Sequence, residues 1–130
     1  MPADEKSRDR VETEAASVVH VSLAEALSKG SPPPGNLAVP IFARGSLEAE
    51  LYVPKGHDPQ KPHDRDEVYL VARGTSVFFD GAERRSIEVG SFLFVASGQP
   101  HRFEEPSSDF AVWVLFYGPR RGDSVAKLAE

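Results

Sequence analysis

The chain predicts an all-β fold built from short strands. Three observations carry that reading. Eleven prolines and ten glycines are spread through 130 residues, which sets many turns and leaves little room for long helices. From Leu37 onward the apolar residues fall in short runs or alternate with polar ones, which is the period of a strand. Those runs stop at turn-forming pairs such as Gly45-Ser46, Asp80-Gly81 and Gly90-Ser91. Strands of this length and spacing build a sandwich or a barrel, and the pattern does not choose between them.

Taken in order, residues 1–17 are mostly charged and read as a solvated, loosely ordered tail. Val18-Val19-His20-Val21 is a short β-like run. Ser22 then caps a helix, and Glu25 three residues later completes a capping box. Leu23, Ala26 and Leu27 give that helix one apolar side, and Gly30 stops it. Ser31-Pro32-Pro33-Pro34-Gly35-Asn36 is an extended connector. Ala38–Ala43 and Leu47–Val53 are strands. In the second, Leu47, Ala49, Leu51 and Val53 alternate with Glu48, Glu50 and Tyr52, so one face is expected to be buried and one wet.

A proline-rich loop leads to Val68–Ala72, which Gly74 ends. Thr75–Phe79 and Arg84–Val89 form a hairpin about Asp80-Gly81, where glycine supplies the positive φ of a tight turn. Phe92–Val95 is wholly apolar, His101–Phe103 follows a turn, and Phe110–Tyr117 is the most hydrophobic strand and therefore central. Residues 18–119 thus form one domain. Residues 120–130 are a C-terminal tail in which Val125, Ala126, Leu128 and Ala129 suit a short helix.

Composition narrows the function classes. The net charge of −5 invites neither nucleic acid nor an anionic membrane. With no cysteine, thiolate metal sites, disulfides and cysteine nucleophiles are excluded. No apolar run approaches the roughly 20 residues of a membrane span, and the N-terminus has no apolar signal region. A cytoplasmic protein is the expectation.

The chemistry concentrates in two segments. Pro62-His63-Asp64-Arg65-Asp66-Glu67 places a histidine and a carboxylate four residues apart, and Gly98-Gln99-Pro100-His101 supplies a second imidazole. Two imidazoles and one carboxylate suit a divalent transition metal with open coordination positions, Fe(II), Mn(II), Ni(II), Co(II) or Zn(II), and the donor set does not choose among them. On a straight strand residues i and i+4 lie about 13 Å apart, so the chain between His63 and Glu67 must bend. Asp64-Arg65-Asp66 after a proline is chemistry that bends. Gln60 or His57 offers a fourth ligand or a polar group for the pocket.

These segments resemble the paired motifs of the cupin superfamily. The first motif runs from a glycine through His-x-His and a few residues to Glu, with Gly six residues beyond. His63 matches its second histidine, and Glu67 and Gly74 match its end. In the second motif Gly90, Gly98 and His101 match, with Ala96 where proline is usual and Glu105 where asparagine is frequent. The slot of the first histidine holds Lys61, and a protonated lysine cannot ligate a metal. The metal set is therefore His63, Glu67 and His101.

The resemblance spans Leu47 to Tyr117. It implies a jelly-roll barrel, a double-stranded β-helix with one short N-terminal helix, whose interior holds the metal. It also implies a homodimer. Phe78, Phe92, Phe94, Phe103, Trp113 and Tyr117 are candidates for the lining, with Lys61, Tyr69, Phe94 and Trp113 as pocket residues. The function implied is a metal-dependent enzyme acting on a small organic molecule, dioxygenase-like, with isomerase and lyase chemistry known on the same scaffold. The alternatives are a non-catalytic small-molecule-binding or sensing module and a structural barrel without metal.

Overall fold

The computed structural model describes residues 17–123 together with 128 and 129. Nearly all of the expected N-terminal tail, and most of the segment expected as a C-terminal helix, lie outside the described residues. Helix α1 spans Leu23–Leu27, and its capping box is complete. Ser22 Oγ accepts from Glu25 N at 3.1 Å, and Glu25 Oε1 accepts from Ser22 N at 2.9 Å. Val18–Val21 forms no strand. Val18 and Val19 are exposed, and among the described residues no strand pairs with them, so their β propensity has nothing to act on.

Among the described residues eight strands follow: β1 (Val39–Arg44), β2 (Leu47–Tyr52), β3 (Asp66–Arg73), β4 (Ser76–Phe79), β5 (Arg84–Ile87), β6 (Phe92–Val95), β7 (Arg102–Glu104) and β8 (Ala111–Tyr117). They form two antiparallel sheets, a five-stranded one in the order β1-β2-β8-β3-β6 and a three-stranded one in the order β5-β4-β7. Pro40 sits on the edge strand β1, where its missing N–H costs no ladder bond. β8 is central, as its apolar run predicts.

The sheets pack face to face. Tyr69, Val71, Val112 and Val114 of the large sheet meet Phe78, Ile87 and Phe103 of the small one in a single buried cluster. Gly74 shows why the β3–β4 turn takes no larger residue. Its φ is +77°, and a Cβ there would lie 2.8 Å from Phe110 Cα. A second, smaller cluster lies on the outer face of the large sheet. There Ala26 and its helix cover Leu51, Ala111 and Trp113.

Register decides what looks inward. Glu67 pairs with Val95 and Tyr69 with Leu93, while Val68 pairs with Phe94 and Leu70 with Phe92. Directly opposed residues share a face, so Glu67 and Tyr69 point into the barrel while Phe92 and Phe94 point out. On β2 the face expected to be wet is the inner one. Glu48, Glu50 and Tyr52 line a cavity, and Leu51 is buried against α1.

Candidate metal centre and cavity

His63 and Glu67 come together because the strand does not begin until Asp66. Asp64 and Arg65 bend the chain, so the i and i+4 side chains converge as their spacing requires. His63 Nδ1 donates to Glu67 Oε2 at 2.8 Å. The second motif is pinned to the first by the backbone. Gly98 N donates to His63 O at 2.7 Å, and Ser97 N donates to the buried Asp66 carboxylate at 2.9 Å. This sets His101, which immediately precedes β7, with Nε2 3.6 Å from Glu67 Oε2.

One ligand-type atom from each of His63, Glu67 and His101 lies within 4.8 Å of the others. The donors fit a divalent cation for two reasons beyond spacing. His101 Nδ1 lies 2.8 Å from Gln99 O and is best placed to donate its proton there, which leaves the Nε2 lone pair facing the site. Glu67 is 1 % exposed, and its Oε1 is buried without a hydrogen-bond partner among the described residues. An orphaned carboxylate oxygen at that depth is costly unless a cation completes it. The Glu67 carboxylate also holds the His63 proton above the usual imidazole range, against the effect of burial.

A buried hydrogen-bond chain runs from this centre into the barrel. Tyr69 Oη lies 2.9 Å from His101 Nε2 and 3.1 Å from Gln60 Oε1. Gln60 is oriented by its other end, since Nε2 donates to Asp58 Oδ2 at 2.6 Å. Asp58 is buried and also accepts from the Tyr52 hydroxyl, from Gln60 N at 3.2 Å and from Phe103 N at 2.8 Å. Burial, then the Glu67 charge, pushes the Tyr69 hydroxyl well above the ordinary phenol range.

The centre opens on a cavity of about 720 Å³ lined by residues that include Glu48, Glu50, Gln60, His63, Tyr69 and Phe116. Two ion pairs stand in its wall, Arg65 with Glu48 at 3.1 Å and Arg120 with Asp64 at 3.2 Å. Of the sequence candidates, Gln60 and Tyr69 therefore lie in the cavity. Lys61 and His57 are exposed and outside its lining. Phe94 is 42 % exposed on the outer face, and Trp113 belongs to the cluster under α1. Phe78 and Phe103 pack in the core beside Tyr69. Sequence reasoning passed over Asp58, Glu50 and Arg120. Only the Glu48–Glu50–Tyr52 alternation signalled any of them, and it did not say which face was inner.

Comparison with known proteins agrees with this geometry. A family model described as Cupin domain matches residues 50–117, which contain all three candidate ligands. The chain belongs to the cupin family. This cupin is 40% identical over 62 residues to an uncharacterized protein of Streptomyces coelicolor, covering 48% of this chain and 59% of that one. It is 32% identical to the DMSP lyase DddQ of Ruegeria pomeroyi, with a TM-score of 0.53 over 59% of this chain and 41% of the lyase. It thus spans less than two thirds of either relative. A cupin-2 domain protein of Shewanella frigidimarina shares the fold, with a TM-score of 0.61 at 15% identity over 75% of this chain and 94% of that one. Among the described residues, no helix is long and apolar enough to cross a membrane.

Proposed function

We propose that this cupin is a metal-dependent enzyme that moves a proton on a small organic molecule, with chemistry of the lyase type. The observation that carries the reading is the Tyr69 hydroxyl, buried in the cavity wall 2.9 Å from a candidate ligand atom. His63, Glu67 and His101 would hold the ion. Fe(II) suits this donor set, and Mn, Ni, Co and Zn are the alternatives. When bound, a divalent cation supplies Lewis acidity and offsets the burial that keeps the Tyr69 proton in place.

The chain's own residues supply the rest. With the His101 lone pair committed to a cation, Gln60 Oε1 is the partner left for the Tyr69 proton. Asp58 keeps that amide from flipping, because it accepts from Gln60 Nε2. In the resting site Tyr69 is thus a neutral donor. As the phenolate that a bound cation would favour, its Oη would take the proton from a substrate carbon. The electrons of that C–H bond then form the C=C bond, and the leaving group departs with its own electron pair. The resemblance to a DMSP lyase supports this choice among the reactions of the scaffold. The second reading is a dioxygenase, because two histidines and a carboxylate also suit a ferrous ion with open positions.

The test is proton NMR of DMSP, and of short carboxylates bearing a leaving group, with metal-loaded protein in D2O beside an oxygen electrode. Substrate loss without oxygen uptake is the expected result. Tyr69→Phe should lower the rate by about 100-fold or more with unchanged metal content. Oxygen consumed in step with substrate would instead establish the dioxygenase. Ligand binding without turnover under any ion would favour the sensing module.

We further propose that a second copy covers the outer face of β3 and β6. Leu70, Phe92 and Phe94 are 37%, 64% and 42% exposed there, beside an edge strand. A two-fold pair would cover both the apolar face and the open edge. Light scattering should give twice the 14.2 kDa chain mass for the wild type and the chain mass for Phe92→Glu. A monomeric wild type rules the pairing out.

A further inference from the structure

We propose that Glu50 receives a positively charged group of the ligand, so that the cavity selects small organic cations. The inference rests on reading the cavity as the substrate site, and it assigns a residue that the metal centre does not use. Glu50 lies outside the group formed by His63, Glu67 and His101. It lines the cavity from β2, opposite Val114 of β8, whose other neighbour is Tyr69. Its carboxylate therefore faces the ligand space two strands away from the tyrosine, with β8 between them.

What sets Glu50 apart among the described carboxylates of the cavity is that it has no direct ion-pair partner, the His63 and Arg65 charges acting on it only from a distance. Glu48 is paired with Arg65 and Asp64 with Arg120. Asp58 is saturated by Tyr52, Gln60 and the Phe103 backbone. Among the described residues Glu50 has neither a hydrogen bond nor an ion pair, although it is half-buried. Burial, and then the Glu48 charge, raises its pKa, which is the mark of a carboxylate without adequate solvation or partner. A half-buried acceptor is destabilising in the empty cavity and is compensated when the ligand brings the opposite charge. Tyr52, Val114 and Phe116 complete that wall with ring and alkyl surface, which suits the carbon body of an onium or amine group.

Calorimetry of the full chain with zinc added tests this with two probes of one shape. These are glycine betaine and 3,3-dimethylbutyrate, in which carbon replaces the charged nitrogen. The wild type should bind betaine about tenfold more tightly, the scale expected for one partly screened charge pair. Glu50→Gln should bring the two within about twofold while zinc content stays the same, and Glu50→Asp should keep the preference. Equal binding by the wild type overturns the proposal. So does a preference that survives Glu50→Gln, or no binding of either probe at tens of millimolar. The readout is binding, so a cupin that turns nothing over but keeps the preference would sink the lyase reading and leave this one standing.

Discussion

His101→Ala is expected to abolish stoichiometric metal binding, with affinity falling by about 100-fold or more. The wild type should carry about one Fe, Mn, Ni, Co or Zn per chain by elemental analysis after reconstitution and dialysis. The size of the effect follows from the site. Among the described residues only His63, Glu67 and His101 form such a group, with ligand atoms within 4.8 Å of one another, and the His101 tautomer is set from outside that group, through Gln99 O. Its side chain is fully buried, whereas His63 is 34% exposed, so the pair left behind would hold an ion in partly solvated surroundings. The His63→Ala, His101→Ala double variant supplies the background value. Circular dichroism on both variants separates loss of the site from loss of the fold. An ion retained by a folded double variant would mean that the metal sits elsewhere and that these residues only pack.

Asp58→Ala is expected to destabilise the protein by about 3–5 kcal/mol, the range for removing one partner of a buried, charge-assisted network. The carboxylate joins elements that the strand ladders do not. It accepts from Tyr52 at the end of β2, from both the backbone and the side chain of Gln60, and from the backbone N–H of Phe103 on β7. Alanine would leave those donors facing a void between the sheets. Burial and the Asp58 bond also push the Tyr52 hydroxyl above the ordinary phenol range, so it stays a donor and would be stranded as one. Urea denaturation gives the number, and Asp58→Asn should recover part of the loss. A shift below about 1 kcal/mol would show that water replaces the carboxylate at little cost. The same substitution frees the Gln60 amide, so it should also weaken any catalysis that depends on the Tyr69 proton.

His63 and Glu67 were legible as a pair because they are local, and His101 was legible because Gly90, Gly98 and His101 match the second cupin motif. His63 and Glu67 needed only a bend between them, which Asp64 and Arg65 supply, and His101 follows a turn whose Gly98 has φ +82°. The capping box at Ser22 and the Asp80-Gly81 turn were legible for the same reason as the His63–Glu67 pair. Asp80 Oδ1 accepts from Ala82 N at 2.9 Å and from Glu83 N at 2.8 Å, all within four residues. At the cap, at the Asp80 turn and between His63 and Glu67 the interacting groups are so close in sequence that side-chain chemistry alone selects the conformation.

The facing of each strand had no such local cause. Period two separates Leu51 from Glu50 and Trp113 from Val114, but both faces of the large sheet carry cover over part of their area. Helix α1 buries the outer face around Leu51 and Trp113, while the inner face holds a cavity that admits carboxylates. The usual equation of apolar with inward therefore reverses on β2, and Phe94 lies outside because it is paired with Val68 rather than Glu67. Sequence alone determined the turns and the helix cap, through contacts that span a few residues, and it named the three candidate ligands through the resemblance of their two segments to the cupin motifs. The tertiary structure decided the contents of the cavity, the Asp58–Gln60–Tyr69 chain and the lone Glu50, because register and the placing of α1 depend on partners far along the chain.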